Sequence, residues 1–320
     1  MRINILASDW FRTRLDRLGN ITGFVTVYGQ EHDPRTRVFA REGHVRRVAG
    51  VAARLSVLAG DVDAEQVRIL AWIHDLNRWP FAHNSEKGRF DQVANIGAYF
   101  ALAPGIGRGQ VQDLRAIHRK DASTASDEGR VVLLADTLTG MVEDLLLVVA
   151  GLNVHPRIIT PEVEKLLSLS LRAGGRLAAL RRLTGLLHGR ERRVELFEVE
   201  FDQVFGSLIQ DFLREKGVDS LWPAYGELIA VPKLVKETFT RPVVFPLNND
   251  RVCHSGWLRG SVVPWYLNRT PDAAERLLRI DERQFVEEVT AAEDTPFAPE
   301  QFRPDIDCVR RDTPAMAFLS

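Results

Sequence analysis

The 320-residue sequence has little cysteine: Cys253 and Cys308 are its only two, far apart and outside any CxxC pair. A disulfide framework or a zinc finger is thereby excluded, and reduced thiols in a reducing compartment are expected. Long apolar runs are missing as well. Leu145 to Gly151, among the longer ones, is about seven residues, against the roughly 18 to 20 that a bilayer span requires. The opening MRINILASDW is too short in its apolar part, and too soon charged, for a signal peptide, so the expected location is the cytoplasm. An excess of either charge is absent too. With 42 Lys and Arg against 43 Asp and Glu, the net charge is -1, and no global field recruits nucleic acid or a membrane surface. An anionic substrate would have to be held by local charges. Neither a GxxxxGK[ST] loop nor a GxGxxG turn occurs, so a P-loop NTPase and a dinucleotide-binding fold are unsupported.

What is present is an ordinary folded composition, 45% hydrophobic and 27% charged, which excludes a disordered or fibrous chain. The length suggests two domains, or one with an extension. After His44, Val45, Val48, Ala52, Leu55 and Leu58 recur at three- and four-residue steps until Gly60, the pattern of an amphipathic helix with a glycine C-cap. Asp63 can cap the next helix, whose apolar side is Val67, Leu70, Ala71 and Ile73 and which ends at His74 and Asp75. Asn77 to Gly88 is expected as loop. Further helices are expected over about Asp91–Ala103, Gly109–Arg119, Glu128–Ala150 and Glu191–Lys216. Thr160-Pro161 and Thr270-Pro271 pair an N-cap residue with proline and mark two more helix starts. The segment RPVVFPLNNDRVCHSGWL suggests a small hairpin turning at Asn248-Asn249-Asp250.

Four residues stand out by type and order: His44, the adjacent pair His74-Asp75, and Asp136, in the order H…HD…D. Mixed imidazole and carboxylate donors suit a hard or borderline divalent metal. Neighbours on a helix lie about 100° apart, so His74 and Asp75 can share an ion only at the tip of their helix, where the chain turns away. Asp136 lies inside the apolar run VVLLADTL, where a carboxylate must be paired or metal-bound. His83, on the loop after the pair, is placed to exchange a proton with water or a leaving group. Arg78, Lys87, Arg35, Arg37 and Arg41 are candidate phosphate clamps. The seven arginines of Arg172 to Arg193 fit a solvated helix face. Cys253-His254 lacks a third partner for a catalytic dyad.

This set resembles the HD-domain metal-dependent phosphohydrolases. More narrowly, the decapeptide from His74 to His83, HDLNRWPFAH, is similar to the HD-L-G-H-x-P-F-G-H segment of deoxynucleoside triphosphate triphosphohydrolases, and Asn84 and Glu86 continue the match. DWFRTRLDRL and Arg35-Thr36-Arg37 look like that family's AFRRL and RTR elements, with His44 about four residues later than the family spacing. Ala135 to Asp144 is similar to its AD-D-I-x-Y-x-x-x-D segment. The resemblance spans about residues 8 to 150. It implies that His44, His74, Asp75 and Asp136 are the metal ligands, and that Asp75 and His83 serve catalysis. Two positions depart from the family: Arg78 replaces its histidine four after the HD pair, and Gly140 replaces the tyrosine that packs against deoxyribose. Dinuclear HD hydrolases, including dinucleoside tetraphosphate hydrolases, are a second resemblance through RAIHRKD, whose His118 precedes Asp136 by 18 residues. Asn95 stands where they keep a histidine, so one metal per chain is expected, with His118 as a phosphate contact.

The expected fold is mostly α: a helical HD-domain bundle over residues 1–155 and a largely helical C-terminal extension over 156–320, with a soft boundary near 151–160. The expected function is hydrolysis of a nucleotide, foremost a (deoxy)nucleoside triphosphate, with a divalent ion (Mn, Mg, Fe, Co or Ni). A stepwise phosphatase, a dinucleoside polyphosphate hydrolase and a nucleotide-sensing module without catalysis are the alternatives. The expected partner is the nucleotide substrate, with no membrane and no nucleic acid; a homo-oligomer is left open.

Overall fold

The computed structural model describes residues 4–22, 39–86, 92–146, 199, 201–202, 209–210, 212–237, 241, 254–269 and 271–303. Its architecture is helical. Among the described residues no strand forms, and the one β-bridge joins Thr22 to Ala40. No helix among them is long and apolar enough to cross a membrane.

In chain order, α1 is Asp9–Leu18, α2 Arg41–Ala59, α3 Ala64–Ile73, α4 Gln92–Phe100, α5 Arg108–Arg119, α6 Asp127–Leu146 and α7 Tyr225–Val235. Val45, Val48, Ala52 and Leu55 are buried as their spacing predicts, while Leu58 is only partly covered. Gly60 ends α2 at φ 77, a backbone region open to glycine. Asp63 caps α3, accepting from the amides of Glu65 and Gln66 at 3.0 and 3.2 Å. α2 packs against α3 and α6, and α5 against α6. Val131 to Ala135 are all buried, so the middle of α6 is apolar nearly all round. Asp136, next along the helix, is mostly covered, with its side chain 14% exposed.

Later residues join the same core. Phe201, Ile209, Phe212, Leu213, Leu221 and Leu228 share one buried cluster with α2, α3 and α6. A second cluster is built from the C-terminal turns α8 (Ser255–Trp257), a π-helical turn Leu258–Val262, α9 (Val263–Leu267), α10 (Ala273–Leu277) and α11 (Glu282–Thr290). It takes in two aromatic residues of the loop after α3, Trp79 and Phe81.

Two expectations are corrected. The helix foreseen at Thr270-Pro271 begins later, with Asp272 as N-cap and Ala273 as its first residue, because Pro271 and Asp272 lie in a turn. The end of the foreseen hairpin, Ser255 to Leu258, is helical; residues 242–253 of that segment, with its turn at Asn248-Asn249-Asp250, the Thr160-Pro161 start, the arginine-rich stretch and the expected boundary near 151–160 lie outside the described residues.

Candidate metal centre

The order of donors along the chain becomes a cluster because three helix segments meet. His44 sits on the first turn of α2, His74 is the C-cap of α3, Asp75 follows in the turn, and Asp136 projects from mid α6. His44, His74 and Asp75 are buried, with donor atoms all within 4.8 Å of one another. The two Nε2 atoms of His44 and His74 stand 3.4 Å apart. Asp136 Oδ1 lies 3.2 Å from Nε2 of His44 and 3.9 Å from Nε2 of His74. Asp75 Oδ2 is 3.9 Å from each of these nitrogens.

The tautomers follow from what holds the other ring nitrogens. Nδ1 of His74 is 2.7 Å from the carbonyl oxygen of Ala71. A carbonyl only accepts, so the neutral ring carries its hydrogen on Nδ1 and leaves a lone pair on Nε2. Burial keeps His74 neutral, its pKa well below the usual histidine value. Nδ1 of His44 is 2.7 Å from Oε2 of Glu143, whose other oxygen accepts from Arg47 Nε at 2.6 Å. Burial alone would raise the Glu143 pKa, but His44 and Arg47 outweigh it and bring it to about 2. The carboxylate accepts the Nδ1 hydrogen of His44, so that in the neutral form of this ring the Nε2 lone pair faces inward.

Two imidazole lone pairs and two carboxylate oxygens thus converge with no donor of their own between them. Such a set repels itself unless a cation sits among its members, and its chemistry fits a divalent ion. The carboxylates are also oriented from outside. Asp75 Oδ1 accepts from Arg78 Nε at 3.1 Å and Gln92 Nε2 at 3.3 Å, while Arg41 pairs with Oδ2. Each carboxylate oxygen has two lone pairs, so a guanidinium contact leaves room for a metal bond. Lys120 pairs with Oδ2 of Asp136. Burial would raise the Asp136 pKa; the Lys120 ammonium is foremost among the groups that hold it well below the ordinary aspartate value.

Residues 41–141 match the HD domain family. The matched stretch of this HD region holds all four donors, and no curated protein matches the chain.

The remaining predicted residues fall in three places. Arg41 and Arg78 are buried against Asp75, and Arg78 also pairs with Glu86 at 2.6 Å. His118 donates from Nε2 to the carbonyl oxygen of His74 at 2.6 Å and stacks on that ring; burial, then Arg78, lowers its pKa to about 3. His83 stands at the rim, its side chain 54% exposed, with Nδ1 3.1 Å from a guanidinium nitrogen of Arg78. That neighbouring cation, more than burial at such exposure, holds its pKa well below the usual histidine value. Lys87, Arg35 and Arg37 lie outside the described residues.

Sequence reasoning passed over Glu143, Lys120 and Gln92. Glu143 had a signal: it stands seven positions after Asp136 on one helix, two turns along the same face. Lys120 and Gln92 come from other elements and left none.

Proposed function

We propose that this chain is a metal-dependent phosphohydrolase acting on nucleotides, foremost nucleoside triphosphates. The observation that carries the reading is the convergence of four inward-facing acceptor atoms, from His44, His74, Asp75 and Asp136, beside the buried guanidinium groups of Arg41 and Arg78. When bound, a divalent ion polarises a phosphate oxygen and lowers the pKa of a bound water, which supplies both a Lewis acid and a nucleophile near neutral pH. We assign one such ion per chain.

The protein's own groups do the rest. Glu143 and the Ala71 carbonyl fix the two imidazole tautomers. Arg41 and Arg78 orient Asp75 and present positive charge to an anionic substrate. His83 acts at the phosphate. Because Arg78 donates to its Nδ1, its neutral ring carries hydrogen on Nε2 and offers a hydrogen bond there. The proton exchange expected of His83 is thereby narrowed to stabilisation of developing negative charge. His118, facing a backbone carbonyl, positions His74.

Sugar selection is relaxed in this reading. A side-chain carbon added at Gly140 would meet no atom of the described residues within 4 Å, and Gly140 supplies no side chain where the resembling family has the tyrosine that packs against deoxyribose. Ribo- and deoxyribonucleotides are both expected substrates. The test is elemental analysis of purified protein together with product analysis on a nucleotide panel. One divalent ion per chain and metal-dependent release of tripolyphosphate supports the reading. Stepwise release of phosphate from the same triphosphates replaces it with a phosphatase, cleavage confined to dinucleoside polyphosphates with a hydrolase of that class, and bound nucleotide without turnover with a sensing module.

A further inference from the structure

The loop from Leu76 to Glu86 carries Arg78 and His83, and its backbone is unusual at one point. Phe81 and Ala82 adopt φ 63 and 43, left-handed values that residues with a Cβ avoid. Such backbone persists only where the surroundings over-determine it. The loop has hydrogen bonds of its own, from the Trp79 amide to Glu86 and from the Ala82 amide to the Trp79 carbonyl, and further support comes from Arg17 and from residues 255–302, which lie outside the HD match.

Three contacts give that further support. Oε1 of the fully buried Glu282, on α11, accepts from the amide of Phe81 at 3.1 Å, and also from the amide and hydroxyl of Thr22 at 2.8 and 3.2 Å. The Phe81 ring packs edge-on against Phe285 and parallel to Phe302, with centroids 5.9 and 6.4 Å away. The buried guanidinium of Arg17 donates to the carbonyls of Leu76 and Arg78 on the loop and to those of Leu277 and Ile280 in the C-terminal segment. One cation thus ties both strands of chain together through four carbonyl oxygens.

We propose that residues 255–302 are a scaffold that sets the conformation of the site loop, with Glu282 as the positioning residue for His83. By holding Phe81 and Ala82 in left-handed backbone, Glu282 decides where the next residue, His83, stands relative to the metal donors. The assignment of His83 to the phosphate rests on the function proposed above; the structural claim about the loop does not.

The test is amide hydrogen exchange on the full chain in the presence of Mn²⁺. Glu282→Ala is expected to speed exchange over residues 79–86 by about tenfold or more, while α2 and α3 exchange as in the wild type and metal content stays unchanged. Glu282→Gln keeps an acceptor oxygen and is expected to restore slow exchange. Where a nucleotide is turned over, kcat falls in Glu282→Ala by about tenfold, and by less in an Ala82→Gly background, because glycine takes positive φ without strain. Should Glu282→Ala fail to fold, Phe285→Leu loosens the same seat and is expected to give the same local pattern. Unchanged exchange over 79–86, or an acceleration spread evenly over the bundle, overturns the proposal. A wild type that turns over no nucleotide overturns the proposed function alone, since the exchange pattern still decides this one.

Discussion

The four candidate metal donors and the two loop residues beside them, buried Arg78 and half-exposed His83, are held by different means. His44, His74 and Asp136 stand on or at the ends of helices whose apolar stripes orient them, and Asp75 follows in the next turn. Arg78 and His83 stand on a loop whose backbone is fixed by Glu282, 201 positions further along the chain from Phe81. Local periodicity builds the donor set and long-range contact sets the loop. A metal set made this way is robust to changes in the C-terminal segment, whereas the loop is not.

The sharpest way to break that contrast is at the donors. Asp75→Ala is expected to abolish both bound metal and turnover, by elemental analysis and assay, because it removes a ligand and strands Arg41 and Arg78 without their shared carboxylate. Full metal occupancy in that variant would sink the ligand assignment. At the rim the outcome should differ in kind. His83→Ala is expected to lose about 10² to 10³ in turnover, the range for removing a donor at developing charge, while metal content holds. A loss of metal there would make His83 a ligand and erase the distinction between the two layers.

Glu143 tests the outer support of the donors. Glu143→Ala frees the His44 ring to rotate and change tautomer, and should weaken metal binding about 10- to 100-fold in a competition titration. Arg78 sharpens the rim through pH. Its charge depresses the His83 pKa, so the wild-type rate should show no inflection near the ordinary histidine value of about 6.5. An NMR titration showing His83 protonating near its ordinary value of about 6.5 would remove that basis.

The smallest expected effect is on stability without metal. Glu143 has a folded-state pKa near 2 against an ordinary value of 4.5, so its contribution is present above about 4.5 and lost as pH falls towards 2. Denaturant unfolding of Glu143→Gln should show a shallower loss across that window than the wild type.

How much of this was legible in the sequence differs between the same two layers. The stripe Val45, Val48, Ala52, Leu55 and the Asp63 cap encode their helices within a few residues, and both are where periodicity put them. The H…HD…D order could be noticed because each donor is rare at its position: a carboxylate in an apolar run, an HD pair at a helix tip. Glu143 was harder, since a glutamate on a helix is ordinary until its face is known. The helix start at Thr270-Pro271 misled, because proline suits a turn before a helix as well as a first helical residue.

The sequence by itself determined the helical class, the helix ends that present His44, His74 and Asp75, and the donor chemistry, because those depend on contacts three or four residues apart. Only the tertiary structure decided that Glu143 and the Ala71 carbonyl fix the imidazole tautomers, that Arg78 binds Asp75, His83 and Glu86 at once, and that Arg17 and Glu282 tie the site loop to residues 255–302. The physical reason is separation along the chain. Periodicity records which face of an element is buried, but not which distant polar atom will meet it there, and a buried polar group is satisfied by whatever partner the packing of the whole chain delivers.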